Sequence, residues 1–181
     1  KGKPIPALKG YDASEKVIYL GTFSKSIAPA IRMSYMVLPE SLMKVYQAAC
    51  RFINPTVSKV DQMILQKFIE DGHYERHLNR MRALYKGRHD TFLNCLKPFA
   101  GKCRISGEHA GVHLLLTFED GRSEEELIRL AREEKVAVYG LSSYDTQGTR
   151  KNQASVLLGY ANMEEDQIKE AVEILRKAWL S

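Results

Sequence analysis

Apolar residues along this chain fall into two patterns. Short unbroken runs bounded by Gly or Pro read as strands, and repeats at i, i+3, i+4 read as helices. Val17-Ile18-Tyr19-Leu20, closed by Gly21, predicts a buried strand. Ile31 to Leu38 predicts a second, stopped by Pro39, and the small residues from Gly21 to Ala30 between them read as a loop. Residues 1–14, rich in Pro, Gly and Lys, read as an extended segment. Glu40 to Phe52 predicts a helix that Asn54-Pro55 breaks. Ser58 with Asp61 resembles a capping box ahead of Val60, Met63, Ile64 and Phe68, and Gly72 predicts the stop. From about His73 to Leu96, the residues Leu78, Met81, Tyr85, Phe92 and Leu96 form the apolar stripe of a long helix. Helices of that length tie one layer of a protein to another.

After Gly101 the pattern becomes that of a small α+β layer of two or three strands and two helices. Val112 to Phe118, Val136 to Tyr139 and Ala154 to Tyr160 predict the strands. Ser123 with Glu126 opens one helix, with Leu127, Ile128 and Ala131 on its inner face. Asn162 with Glu165 caps the last, whose Ile168, Ala171, Val172, Leu175 and Trp179 repeat at helical spacing, with Trp179 as a core anchor. No internal repeat interrupts this order.

The 181 residues are 44% hydrophobic and 27% charged, which supplies a sizeable core and argues against disorder. No apolar run approaches the roughly 20 residues of a membrane span, and the segment beginning Lys1-Gly2-Lys3-Pro4 has no secretory apolar region. Three cysteines, Cys50, Cys95 and Cys103, show no paired spacing and point to a reducing, cytoplasmic setting. They read as small buried hydrophobes, although Lys102 and Arg104 flank Cys103 and would lower its pKa. The net charge of +5 is uneven: 16 basic and 8 acidic residues in the first hundred, 11 and 14 after them. Part of the excess is Arg76, Arg80, Arg82, Lys86 and Arg88, which read as a solvated helix face, since no aromatic platform for bases is interleaved. His73 and His77 lie four apart on a helix, but no third ligand is near, so no metal site is expected. His113 reads as a core histidine.

The informative stretch runs from Gly21 to Arg32, Gly-Thr-Phe-Ser-Lys-Ser-Ile-Ala-Pro-Ala-Ile-Arg. Lys25 sits just past a strand, where desolvation would make its amine nucleophilic towards aldehydes. Thr22 and Ser24 offer hydroxyls, and Arg32, seven positions on, a guanidinium fork suited to phosphate. Together they fit pyridoxal 5′-phosphate, an aldehyde bearing a phosphate, held as a Schiff base. The same residue types also occur in ordinary turns, so the spacing leaves both readings open.

The segment Tyr19-Leu20-Gly21-Thr22-Phe23-Ser24-Lys25-Ser26, with Pro29, Arg32 and Tyr35-Met36-Val37-Leu38-Pro39, closely resembles the lysine segment of fold-type-I aminotransferases. The likeness is nearest to the aminotransferase-like domain of MocR/GabR-type regulators, within the GntR family of transcription regulators. Gly72-His73-Tyr74-Glu75-Arg76-His77, Ala110-Gly111-Val112-His113-Leu114 and Leu158-Gly159-Tyr160-Ala161 extend it over essentially the whole chain. The resemblance implies that Lys25 is the Schiff-base (catalytic) lysine and that Arg32 and Thr22 contact the cofactor phosphate, with Ser24 a lesser contact.

It also implies an α/β fold: the later part of the large cofactor-binding domain (1–72), a connecting helix (73–100) and a small α+β domain (101–181). In such regulators a DNA-binding domain, an aspartate for the pyridine nitrogen and a ring-stacking aromatic all precede the lysine. Only 24 residues precede Lys25 here, and Asp12, the acidic candidate besides Glu15, reads as surface loop. The chain is therefore expected to be a C-terminal fragment that binds pyridoxal phosphate weakly or not at all by itself, reaching DNA only through a domain it lacks. The parent is expected to be a homodimeric sensor of an amine or amino acid; the alternatives are a stand-alone aminotransferase and an inactive folding or dimerisation module. Ser143 stands where the GABA-responsive regulator has its carboxylate-binding arginine, which argues against GABA; Arg150 is the nearby substitute.

Overall fold

A computed structural model describes residues 5–54, 56–109, 111–146 and 154–180. Pro55, Ala110 and Arg150, each part of a reading above, lie outside the described residues. The chain divides into two compact units, residues 1–81 and 82–181.

In the first unit, β1 (Tyr19–Thr22) and β2 (Ser34–Val37) form a two-stranded antiparallel sheet, with Tyr19 opposite Val37 and Thr22 opposite Ser34. The first strand begins two residues later than the apolar run suggests and is not buried: Leu20 is 71% exposed, and Met36 across from it is exposed too. A sheet two strands wide gives that face no second layer to pack on. On the other face the Tyr35 ring lies across Gly21, so closely that any side chain there would displace it. Ile31 is outside β2, in a 3-10 turn (Pro29–Ile31).

Asp12 is no idle surface residue. Its carboxylate, 4% exposed, accepts from the backbone N–H groups of Ser14, Lys16 and Val17 and from the Lys9 ammonium. Those bonds, Val17 first, hold its pKa down to about 2. Helices α1 (Glu40–Cys50) and α2 (Lys59–Glu70) follow. Ser58 caps α2, but its Oγ accepts from Val60 N–H rather than from Asp61. Rings run continuously through the unit: Tyr19 to Tyr35 (6.0 Å), Tyr35 to Phe23 (5.1 Å), Phe23 to Tyr74 (6.0 Å) and Tyr74 to Phe68 (6.5 Å). The Tyr35 phenol is raised above its ordinary pKa, by a hydrogen bond with Tyr19 first and by burial second.

Helix α3 (His73–Cys95) carries the chain from the first unit into the second. Its stripe is unevenly used: Phe92 and the following Leu96 are buried, whereas Leu78, Met81 and Tyr85 are half-buried. Arg88 departs from the solvated face expected of it. Its buried guanidinium donates to the Ala161 carbonyl at 2.6 Å and to Glu164 at 2.5 Å.

The second unit is a four-stranded antiparallel sheet in the order β3 (Cys103–Ser106), β4 (His113–Phe118), β6 (Ala154–Gly159), β5 (Tyr139–Gly140). Helices α4 (Glu124–Glu133) and α5 (Glu165–Leu180) pack against one another, and α4 against β6. The sequence pattern misses β3, whose four residues are too short a run to register. Ser123 caps α4 as expected, accepting from Glu126 N–H at 3.1 Å. At the start of α5 the side-chain bond comes from Gln167, which accepts from Glu164 N–H. The core joins Leu114, Leu116, Leu127, Val156, Ile168, Val172 and Leu175. Trp179 closes it, edge-on to Phe118 (5.5 Å) and Phe99 (6.3 Å), its indole N–H donating to the Leu127 carbonyl. His113 is exposed, not a core residue, its ring lying against Gly159 on the paired strand.

Candidate functional site

Residues 22–33 form a closed loop on the two-stranded sheet. Phe23 N–H donates to the Met33 carbonyl at 2.9 Å, and Thr22 Oγ donates to the same carbonyl at 3.2 Å. Met33 is buried, so the loop is fastened at its base. Ser24 N–H donates to Thr22 Oγ, and Ser26 and Ile27 N–H groups both donate to the Phe23 carbonyl. These bonds wind residues 23–27 into tight turns and set Lys25 at their crest, exposed. The desolvated lysine expected at a strand end is not found, because the narrow sheet beneath leaves the loop open.

Thr22 and Arg32 are brought to the two sides of the loop base by the β1–β2 pairing, and both are exposed. Arg32 adopts the left-handed conformation (φ 47°, ψ 28°). For a residue with a Cβ this costs about 1–2 kcal/mol, and such strain concentrates where chemistry fixes a side chain. Ser24 is half-buried and shapes the turn through its backbone. One neighbour had no signal in the sequence beyond its residue type. Ser26 Oγ is buried and has no hydrogen-bond partner, a condition that costs about 1–3 kcal/mol.

A second polar arrangement lies in the other unit. Glu124, the first residue of α4, is buried, and its carboxylate accepts from Ser142 N–H at 3.2 Å and from the Ser142 hydroxyl. A side chain at Gly140 would collide with that carboxylate, so glycine is required there. The pair holds the 3-10 turn (Leu141–Tyr144), on which Ser143 is exposed.

The remaining candidates resolve otherwise. Burial, with the Asp120 charge second, pushes the Cys103 thiol up to about 11, opposite to the lowering expected from Lys102 and Arg104. Adjacent side chains on a strand point to opposite faces, so Arg104, the next residue of β3, is turned away from the sulfur. His73 stacks on Phe68 at 5.8 Å and meets the Arg76 guanidinium at 2.9 Å. Among the described residues no cluster of three or more His, Cys, Asp or Glu is placed to hold a metal, and no helix is long and apolar enough to cross a membrane.

The sequence profile described as aminotransferase class I and II matches residues 2–175, nearly the whole chain. The chain belongs to the aminotransferase class I and II family. Among curated relatives of this family member, the uncharacterised HTH-type transcriptional regulator YhdI of Bacillus subtilis is 39% identical over 98% of the chain. The probable rhizopine catabolism regulatory protein MocR of Rhizobium meliloti is 32% identical over 100% of it. The chain spans 38% and 36% of the lengths of those two relatives. Among solved structures, a multiple substrate aminotransferase from Thermococcus profundus superposes with a TM-score of 0.83, at 25% identity, over 99% of this chain and 44% of that one.

The family implies pyridoxal phosphate, and the residues in hand fit it. An exposed primary amine, an exposed guanidinium held in a costly conformation and a buried hydroxyl lacking an acceptor all fall within residues 25–32. An aldehyde, a dianionic phosphate and its oxygens would satisfy these three in turn.

Proposed function

We propose that this aminotransferase-family chain is the cofactor- and effector-binding part of a transcriptional regulator, with Lys25 as the residue that bonds covalently to pyridoxal phosphate. The observation that carries the reading is the 22–33 loop, whose first residues, Thr22 and Phe23, are fastened to Met33 at its other end, and which leaves the Lys25 amine exposed between Thr22 and Arg32. The regulator names borne by relatives that match the chain end to end support the biological setting.

Bound pyridoxal phosphate supplies an aldehyde carbon that exchanges one amine for another. In this reading the chain's own residues do the rest. Lys25 Nζ holds the aldehyde end and gives way to an incoming amine or amino acid, and Arg32 pairs with the phosphate, as a guanidinium fork does with such oxygens. Thr22 contacts the phosphate beside Arg32, with Ser24 a lesser contact, and the hydrogen bonds of both also keep the loop in shape. Release of Lys25 removes one covalent tie between ligand and loop, a difference between two states that a regulator can transmit. The turn carrying Ser143 presents a hydroxyl where a carboxylate clamp would need a guanidinium, which disfavours GABA as the effector. Residues 1–72 belong to the cofactor domain, 73–100 to a connecting helix and 101–181 to the small domain. The parent acts in the cytoplasm as a homodimer and meets DNA through a separate domain, and these 181 residues alone hold the cofactor weakly or not at all.

Absorbance titration of the parent protein with pyridoxal phosphate tests this: a saturable band of the lysine adduct is expected, and Lys25→Ala abolishes it. A Lys25→Ala protein that keeps the band refutes the assignment. The aminotransferases among the structural neighbours favour a second reading, a transaminase. Conversion of amino acids to keto acids by the loaded protein would establish it.

A further inference from the structure

We infer that the groove at the end of the sheet where β3 begins and β4 ends binds a small zwitterion with an aliphatic tail, the chemistry of an apolar α-amino acid. The groove has a volume of about 770 Å³, within the range of about 300–1,000 Å³ that small-molecule sites occupy. It lies wholly in the second unit, whereas Lys25 is in the first, so the inference stands apart from the function proposed above. Apolar contact comes from half-buried Leu180, at the end of α5, with Trp179 beside it.

The charges around the groove divide into spent and available. Arg122 is spent: its guanidinium donates to Asp120 through Nε at 3.0 Å and to the Trp179 carbonyl through Nη1 at 2.9 Å, and it lies over the Phe118 ring at 5.0 Å. Asp120 is spent with it, its carboxyl held below the ordinary range first by the Arg122 hydrogen bond. The exposed Lys102 side chain, in contrast, makes no hydrogen bond or ion pair among the described residues. Arg104 and Glu119 face each other loosely, Nε to Oε1 at 3.9 Å, with 58% and 78% of their side chains exposed. A pair so open to water is worth little and yields to a better-placed partner. The β3–β4 register, Cys103 opposite Phe118 and Arg104 opposite Thr117, sets Lys102 and Arg104 along one side and Glu119 along the other. A simple anion would meet Glu119, and a simple cation would meet Lys102 and Arg104. A molecule with both charges on one carbon places its carboxylate on Lys102 and Arg104 and its ammonium on Glu119, and leaves its side chain for Leu180.

The test is calorimetric titration of the full chain with L-leucine, without added pyridoxal phosphate, beside two analogues that each lack one charge. L-leucine is expected to bind saturably. 3-Methylbutylamine, which lacks the carboxylate, and 4-methylpentanoate, which lacks the ammonium, are expected to bind at least about fivefold more weakly, the upper end of what one partly exposed charge pair contributes. Glu119→Gln is expected to weaken L-leucine about fivefold and to leave 4-methylpentanoate no weaker. Lys102→Gln is expected to weaken L-leucine to a similar extent and to leave 3-methylbutylamine no weaker. Both side chains are exposed, so both variants keep the fold. Lys25→Ala binds L-leucine as the unaltered chain does. Absence of saturable heat up to about 10 mM, tenfold above a millimolar site, overturns the inference. So do analogues that bind as tightly as L-leucine, or L-leucine binding that neither groove variant changes. Loss of binding in Lys25→Ala overturns it too, by placing the amino acid at the 22–33 loop, and leaves the proposed function standing.

Discussion

Arg88 offers a case in which two bonds of similar length should carry very different energies. Its guanidinium is buried and donates to the Ala161 carbonyl at 2.6 Å and to the Glu164 carboxylate at 2.5 Å. The Glu164 side chain is 74% exposed, so water screens that ion pair and its worth is about 0–1 kcal/mol. The bond to the carbonyl is charge-assisted and shielded, worth about 1.5–3 kcal/mol. Arg88 Nε, buried without a partner, offsets part of this. Arg88→Met keeps most of the aliphatic stem and removes every donor, so it is expected to cost about 2 kcal/mol. Glu164→Gln removes only the screened charge and is expected to cost under about 1 kcal/mol. Trp179, the sole tryptophan, lies in the core of the same unit, so urea unfolding followed by its fluorescence reports the right part of the chain. Equal losses for the two variants, or a loss for Arg88→Met that high salt reproduces in the parent, would mean that the ion pair dominates, contrary to the argument.

Three further outcomes follow from the geometry. Gly140→Ala drives a methyl into the Glu124 carboxylate and is expected to cost about 1–3 kcal/mol by thermal unfolding; added to Glu124→Ala it should cost far less than when made alone, and full additivity would exclude the collision. Cys103, its thiol pushed up to about 11 by burial, is expected to be alkylated slowly at neutral pH in the folded chain and quickly in urea; fast labelling of the folded chain would contradict its burial. The Asp12 carboxyl, held down to about 2 against an ordinary 3.8, stabilises the folded loop above the ordinary value, and the contribution fades as pH falls through about 2. The protection factor of the Val17 amide, its intrinsic exchange rate divided by the observed one, should therefore fall as pH is lowered towards about 2, and in Asp12→Ala it should be low already at neutral pH.

Much of the second unit was legible in the sequence because its patterns are satisfied within the unit. The repeat Ile168, Val172, Leu175, Trp179 finds a sheet to bury against, and Ser123 finds Glu126 N–H at the position its spacing implies. What failed there was local. Arg88 and His113 were misplaced because charge and aromatic character do not reveal which way one side chain of a helix or strand faces. Cys103 was misjudged because sequence neighbours on a strand are not spatial neighbours of its sulfur. At the candidate site, Lys25, Thr22 and Arg32 were legible as candidates from residue type and resemblance. The spent hydroxyl of Thr22 and the idle one of Ser26 were not, since both depend on how the turn closes on Met33.

The first unit shows the limit of pattern more sharply. Its apolar residues are as well ordered in sequence as those of the second, yet its buried hydrophobics are Met33 and Leu65, whereas Leu20, Val45, Phe52, Ile53, Val60, Met63 and Ile64 are more than 60% exposed. Hydrophobic periodicity records which face an element has evolved to cover, and coverage requires a partner surface that periodicity does not name. At roughly 25 cal/mol per Å² of apolar surface removed from water, a face left open contributes almost nothing to stability. The loop bearing Lys25 therefore owes its shape to hydrogen bonds, Thr22 and Phe23 to Met33 and Ser26 and Ile27 to Phe23, rather than to a core beneath it. A site held that way is fastened at its base and open above, so under the proposed function its hold on pyridoxal phosphate rests on the few groups of the loop that would touch the ligand.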